Sequence, residues 1–239
     1  MLEVYGCISP NVLKVLVGVE EVGTPYHYNY VSVLMGENQA AEFAALNPNR
    51  KVPIIVDPDG PDGKSLVVWE SGAILIYLAE KAGVLIPNDA GSRYAALQWL
   101  MFQMSGIGPM FGQYVHFSRY AQSQTYSRDR YYTEVLRLYD VTEGRLQQSR
   151  FLAGNEYSIA DISAWPWLYM LEIEGLDRSN YPNMNRWIAE IADRPAVERA
   201  MVVFSSMKFP DMVQFGEDHP DHLDRFFGRG RYSRARVGN

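Results

Sequence analysis

Every run of residues that reads as a strand ends by Trp69, and the remainder of the 239-residue chain reads as helices. Strands followed by helices, rather than alternating with them throughout, predict an α+β fold in two parts. Glu3-Val4-Tyr5 opens as a short strand ended by Gly6. Ser9-Pro10 then supplies a helix cap and a proline at the first helical position, and Val12, Val15, Leu16 and Val19 follow at helical spacing up to Gly23. Alternation around Tyr26, Tyr28 and Tyr30 predicts a second strand, and a short helix is expected from Gln39 to Leu46. Val52 to Asp57 and Leu66 to Trp69 flank the turn Asp57-Pro58-Asp59-Gly60-Pro61-Asp62-Gly63, which predicts an antiparallel hairpin. The helix between the first two strands predicts that they pair in parallel. Ser71 caps one more helix, which Gly83 ends.

Residues 84–91 are rich in turn formers and read as a linker between residues 1–83 and a helical domain over 92–209. Helices are expected at about 92–117, 127–147, 159–174 and 183–192, with another after Pro195. Ser158 to Asp161 has the spacing of a capping box. Residues 210–239 form an extension whose last 15 residues hold five arginines and no acid, read as a mobile, solvated tail. A net charge of -6 argues against a general nucleic-acid binder. The single cysteine, Cys7, excludes an internal disulfide and a cysteine-rich zinc site, and the four histidines show no metal-ligand spacing. No apolar run approaches the roughly 20 residues of a membrane span, and the first residues do not read as a signal peptide. A soluble, cytoplasmic protein is expected.

Four motifs together resemble one family. They are Ser9-Pro10-Asn11, Asn47-Pro48-Asn49-Arg50-Lys51-Val52-Pro53, Glu70-Ser71-Gly72-Ala73-Ile74 and Ser158-Ile159-Ala160-Asp161-Ile162. Over about residues 1–205 the chain resembles the cytosolic glutathione transferases, which join a thioredoxin-like N-terminal domain to an all-α C-terminal domain. Gly106-Ile107-Gly108-Pro109-Met110 and Trp165-Pro166-Trp167 place the likeness nearest the bacterial nu class, the glutathione-dependent disulfide-bond oxidoreductases.

The resemblance implies glutathione as cosubstrate, two per site or as its disulfide. The start of the helix at Ser71 offers N–H groups and a hydroxyl to the γ-glutamyl carboxylate, and Glu70 could take the amine. Pro53 is expected to be cis, turning the Val52 backbone toward the cysteinyl part of the peptide. Lys51, with Asn38 or Gln39, is a candidate for the glycyl carboxylate. Arg130 matches an arginine that contacts a bound glutathione in nu-class proteins, and it also reads as an ordinary surface arginine. Tyr114, His116, Phe117 and Tyr120 would line the second-substrate pocket by position.

The resemblance puts Ser9 where cysteine-type members carry their cysteine and nu-class members a threonine, with Asn11 two residues on. Lowering a thiol pKa by two units takes about 2.7 kcal/mol. Two hydrogen bonds of about 0.5–1.5 kcal/mol each and a helix dipole of about 0.3–1 kcal/mol can supply that. Ser9 also reads as a plain helix cap, and one hydroxyl cannot give its proton to two roles, which favours Asn11 at the sulfur. Ser9 acting alone is the alternative. Cys7 reads as a buried, inert thiol, Tyr5 and Trp165, Trp167 and Trp187 as core, and Asp161 as a structural cap.

The expected activity is therefore thiol–disulfide exchange by enzyme-bound glutathione thiolate. Conjugation or removal of glutathione on an aromatic metabolite uses the same site, and a non-catalytic glutathione-binding regulator is a further alternative. The family implies a homodimer; the net charge, the apolar runs and the histidine spacing argue against a nucleic-acid, membrane or metal partner.

Overall fold

A computed structural model describes residues 1–171, 173, 176–207 and 216–232. Strand β1 (Leu2–Gly6) buries Leu2, Val4 and Gly6, its alternate residues, and helix α1 (Pro10–Val22) follows. Strand β2 (Tyr26–Tyr30) lies parallel to β1, with Val4 opposite Tyr28. Helix α2 (Ala41–Leu46) leads to β3 (Ile54–Asp57) and β4 (Leu66–Trp69), and helix α3 (Ser71–Ala82) follows at once. The sheet order is β2-β1-β3-β4, with β3 antiparallel to both of its neighbours. The parallel pair and the hairpin are those expected from the connection lengths.

Ser9 caps α1 by accepting the Asn11 backbone N–H at 3.2 Å, and Pro10 sits in the first turn. Gly23 ends the helix at φ 67, a left-handed conformation that costs glycine least. Every residue of α1 from Val12 to Val19 is buried, because the helix packs on the sheet and against α3 and the helical domain. The sequence showed one apolar stripe where the structure buries every face of the helix from Val12 to Val19.

The helical part comprises α4 (Ala90–Phe102), α5 (Gly108–Arg119), α6 (Thr125–Gln148), α7 (Ile159–Met170), α8 (Pro182–Ala192) and α9 (Pro195–Ser206). The single helix expected over 92–117 is two, joined by a π-helical turn, Gln103–Ile107. Pro109 cannot donate to the carbonyl four residues back, so an unbroken α-helical ladder cannot pass this point. Helix α7 stops at Met170 rather than continuing to 174; Leu171 is extended, and Glu174 lies outside the described residues. The capping box forms, and buried Asp161 accepts hydrogen bonds from Leu152 N (2.8 Å), Ser158 N (3.1 Å), Ser158 Oγ (3.3 Å) and Trp187 Nε1 (2.8 Å).

The expectation of a solvated arginine tail needs correction over its first part. A short helix, α10 (His222–Phe227), packs Phe227 edge-on against His116 of α5, with ring centroids 4.8 Å apart. Arg225 pairs with Asp221 at 3.0 Å and donates to the Met35 carbonyl at 3.2 Å, while Arg229 pairs with Asp224 at 2.9 Å. The acids that hold these arginines precede them in sequence, outside the arginine-rich stretch itself. Arg234 and Arg236 lie outside the described residues.

Candidate active site

Between the two parts lies a cleft of about 800 Å³. The start of α1 forms one wall with Ser9 and Asn11, and Asn38, Lys51 and Val52 continue it. His116 and Phe117 from α5 and Tyr120 just after it face them, with Trp167 from α7 and Leu223, Phe226, Phe227 and Arg229 from the C-terminal segment. The cleft thus has a polar inner end at a helix N-terminus and an aromatic outer end.

At the inner end, Ser9 Oγ spends a lone pair on the cap and keeps its hydroxyl proton. The competition expected between capping and sulfur binding therefore does not arise, because the cap uses the oxygen only as an acceptor. Asn11 Oδ1 accepts the Trp167 indole N–H at 3.1 Å, which leaves the amide N–H₂ as the donor end of that side chain. Two donors and the positive end of α1 are thereby gathered in one wall of the cleft.

Cys7 is buried, and burial pushes its thiol up to about 12. Its thiolate is scarce at neutral pH, so it is poorly suited to nucleophilic attack.

Glu70 and Ser71 stand at the β4–α3 corner rather than among the cleft-lining residues. Trp69 pairs with Ile54, which sets this corner beside the start of β3 and the Val52-Pro53 peptide, which is cis. Glu70 has φ 70 and ψ 115, a backbone conformation that non-glycine residues adopt only where their surroundings hold them. Its carboxylate is exposed and 3.5 Å from Asn49 Nδ2, and Ser71 is buried behind it.

Four expectations change on the structure. Asn38 gives its Nδ2 to the Arg50 carbonyl at 2.9 Å, and its buried Oδ1 has no partner, so the free end is an acceptor and unsuited to a carboxylate. Gln39 does not line the cleft; its carbonyl accepts the Arg50 guanidinium at 2.8 Å. Tyr114 points away from the cleft into the α5–α6 packing beside Tyr132, since it lies on the opposite helical face from His116 and Tyr120. Arg130 is on the exposed face of α6, paired with Glu134 at 2.9 Å, and does not line the cleft.

Sequence reasoning missed Trp167 as a partner of Asn11 and the whole contribution of α10 and Arg229. Nothing in the sequence links residues 156 positions apart, as Trp167 and Asn11 are.

Residues 8–81 match the glutathione S-transferase N-terminal domain and residues 100–195 the glutathione S-transferase C-terminal domain. The chain belongs to the glutathione S-transferase family. Its similarity to the disulfide-bond oxidoreductase YfcG of Escherichia coli (strain K12) is 40% identity over 204 residues, covering 84% of this chain and 95% of that one. A glutathione transferase structure from Burkholderia graminis, with two glutathione molecules bound per subunit, is 44% identical with a TM-score of 0.81, covering 87% of this chain and 89% of that one. Another, from Pseudomonas putida with one glutathione disulfide bound per subunit, is 41% identical with a TM-score of 0.78, covering 83% and 90%. Among the described residues of this transferase-family chain, no helix is long and apolar enough to cross a membrane.

Proposed function

We propose that this protein binds glutathione in the cleft and uses its thiolate to reduce disulfides. The observation that carries this reading is the pairing of two free donors, the Ser9 hydroxyl and the Asn11 amide, at a helix N-terminus, beside a sole cysteine whose thiol is held protonated. The α3 N-terminus and Ser71 take the γ-glutamyl carboxylate, Glu70 its amine, the Val52 backbone the cysteinyl unit and Lys51 the glycyl carboxylate.

The bound thiolate attacks one sulfur of a disulfide, forming a mixed disulfide and expelling the other sulfur as a thiolate, which takes up a proton. A second glutathione thiolate attacks the glutathione sulfur of that mixed disulfide, giving glutathione disulfide and releasing the second product thiol. Two glutathiones are oxidised, one disulfide is reduced, and no protein cysteine changes state. The protein works as a cytoplasmic homodimer in this reading.

The test is reduction of a small mixed disulfide coupled to glutathione reductase, for wild type, Asn11→Ala and Cys7→Ser. Turnover that survives Cys7→Ser and falls about tenfold with Asn11→Ala, about 1.4 kcal/mol of transition-state stabilisation, supports the mechanism. Loss of turnover in Cys7→Ser overturns it.

The aromatic outer end favours a second reading, in which the partner is an aromatic metabolite that gains or loses glutathione. His116, Phe117, Tyr120 and Phe227 supply that surface, and Arg130 stands away from it. A wild type inactive on disulfides but active on an aromatic glutathione conjugate would select this reading.

A further inference from the structure

One lysine is buried where the sequence is otherwise apolar. Lys14 lies in α1 between Leu13 and Val15 and is 0% exposed. Its Nζ is 2.7 Å from Gln103 Oε1 and 3.7 Å from Met104 Sδ, the first two residues of the π-helical turn. Taking an ammonium out of water is costly unless its donors are met, and here one strong and one weak acceptor meet it. A methionine or leucine would fill the same space without that cost, so packing alone does not explain the residue.

The same sulfur of Met104 also meets the beginning of α3. Ser71 Oγ lies 3.8 Å from Met104 Sδ. A Cβ placed on Gly72 would come within 3.1 Å of both Cγ and Sδ of Met104, so the thioether lies close to this backbone and leaves no room for a side chain there. The adjoining residue is Glu70, whose left-handed φ of 70 needs support from its surroundings. Glu70 is also the charged side chain whose field favours the charged form of Lys14. A continuous set of contacts thus runs from Lys14 through Met104 to the corner that reads the γ-glutamyl group.

We infer that Lys14 is a positioning residue for the γ-glutamyl end of the glutathione site, bracing the Glu70–Ser71 corner from inside the protein through Gln103 and Met104. This rests on the glutathione reading above. Lys14 itself touches neither substrate nor sulfur; it fixes the π-helical turn, and the turn fixes the corner.

The test compares Lys14→Met, which keeps an unbranched side chain one atom shorter and removes the amine, and Gln103→Leu, which removes the acceptor and keeps the lysine. For each, kcat and KM are measured with glutathione, and kcat/KM with cysteinylglycine, which lacks the γ-glutamyl group and needs no saturation. The expected result is a KM for glutathione raised about tenfold, kcat within about twofold, and kcat/KM for cysteinylglycine unchanged. Equal losses with both thiols would mean general damage and overturn the inference, as would an unchanged KM for glutathione. If Lys14→Met does not fold, Gln103→Leu decides by the same criteria. Calorimetric titration of the wild type with glutathione separates the two levels: no binding overturns the glutathione reading itself, and binding with unaltered variants overturns only the role of Lys14.

Discussion

The indole N–H of Trp167 is 3.1 Å from Asn11 Oδ1, joining the last turn of α7 to the first turn of α1. This contact decides which end of the Asn11 amide is free for the cleft. Trp167→Phe keeps an aromatic ring and removes the donor, at a cost of about 1 kcal/mol for one hydrogen bond. The expected outcome in steady-state kinetics is a kcat about fivefold lower with KM for glutathione within about twofold. Unchanged kcat would show that Asn11 needs no such orientation.

Cys7 gives a clean chemical test because it is the only cysteine. With its thiol pushed up to about 12, roughly one molecule in 10⁴ carries the thiolate at pH 8. A maleimide or aromatic disulfide reagent is expected to label the folded protein very slowly and the urea-unfolded protein at once. Rapid labelling of the folded protein would place Cys7 among the reactive groups.

Burial of Lys14 ties the stability of the fold to pH. Burial lowers its pKa to about 7, with the Glu70 carboxylate opposing the shift. The unfolded lysine keeps its proton up to about pH 10.4, so between these values folding releases a proton and stability rises with pH. Below about pH 7 both states are protonated, and the cost of the buried charge is fully present. The stability of Lys14→Met relative to wild type, from urea unfolding, is therefore expected to be most favourable below pH 7 and to decline by a few kcal/mol as pH rises toward 10. A difference independent of pH would contradict the burial of a titrating amine.

Asp161 gathers four donors in the core: two backbone N–H groups, one hydroxyl and one indole N–H. Asp161→Ala leaves them unpaired, which costs about 3–5 kcal/mol. At about 2–4 °C per kcal/mol for a chain of this size, the midpoint measured by calorimetry should fall by roughly 6–20 °C. A fall under about 3 °C would mean that water replaces the carboxylate without penalty.

The sheet was legible because its signals are local: Ser9-Pro10, the turn from Asp57 to Gly63 and the alternation through Tyr28 each act over a few residues. So was the capping box at Ser158. The π-helical turn was not, although Pro109 marks where an α-helical hydrogen bond is lost. Side-chain direction was the least legible. Tyr114 and His116 are two residues apart yet fall on opposite faces of α5, and only the packing of Tyr132 decides which one meets the cleft. Arg130 and Arg229 show the same limit, since sequence places cations but not their acids. Lys14 was legible in principle, as a lone charge inside Val12-Leu13-Lys14-Val15-Leu16, but its partners lie 89 and 90 positions away.

In the proposed mechanism the reacting thiolate belongs to bound glutathione and is stabilised by Asn11 with Ser9. Ultraviolet titration of the thiolate in the glutathione complex tests it directly, with wild type, Asn11→Ala and Cys7→Ser side by side. The expected result is a bound thiol pKa about two units below the ordinary thiol value of about 8.5 in wild type and Cys7→Ser, returning to within about one unit of it in Asn11→Ala. A bound thiol that titrates as free glutathione does in wild type, or a low-pKa signal that disappears with Cys7→Ser, would contradict it.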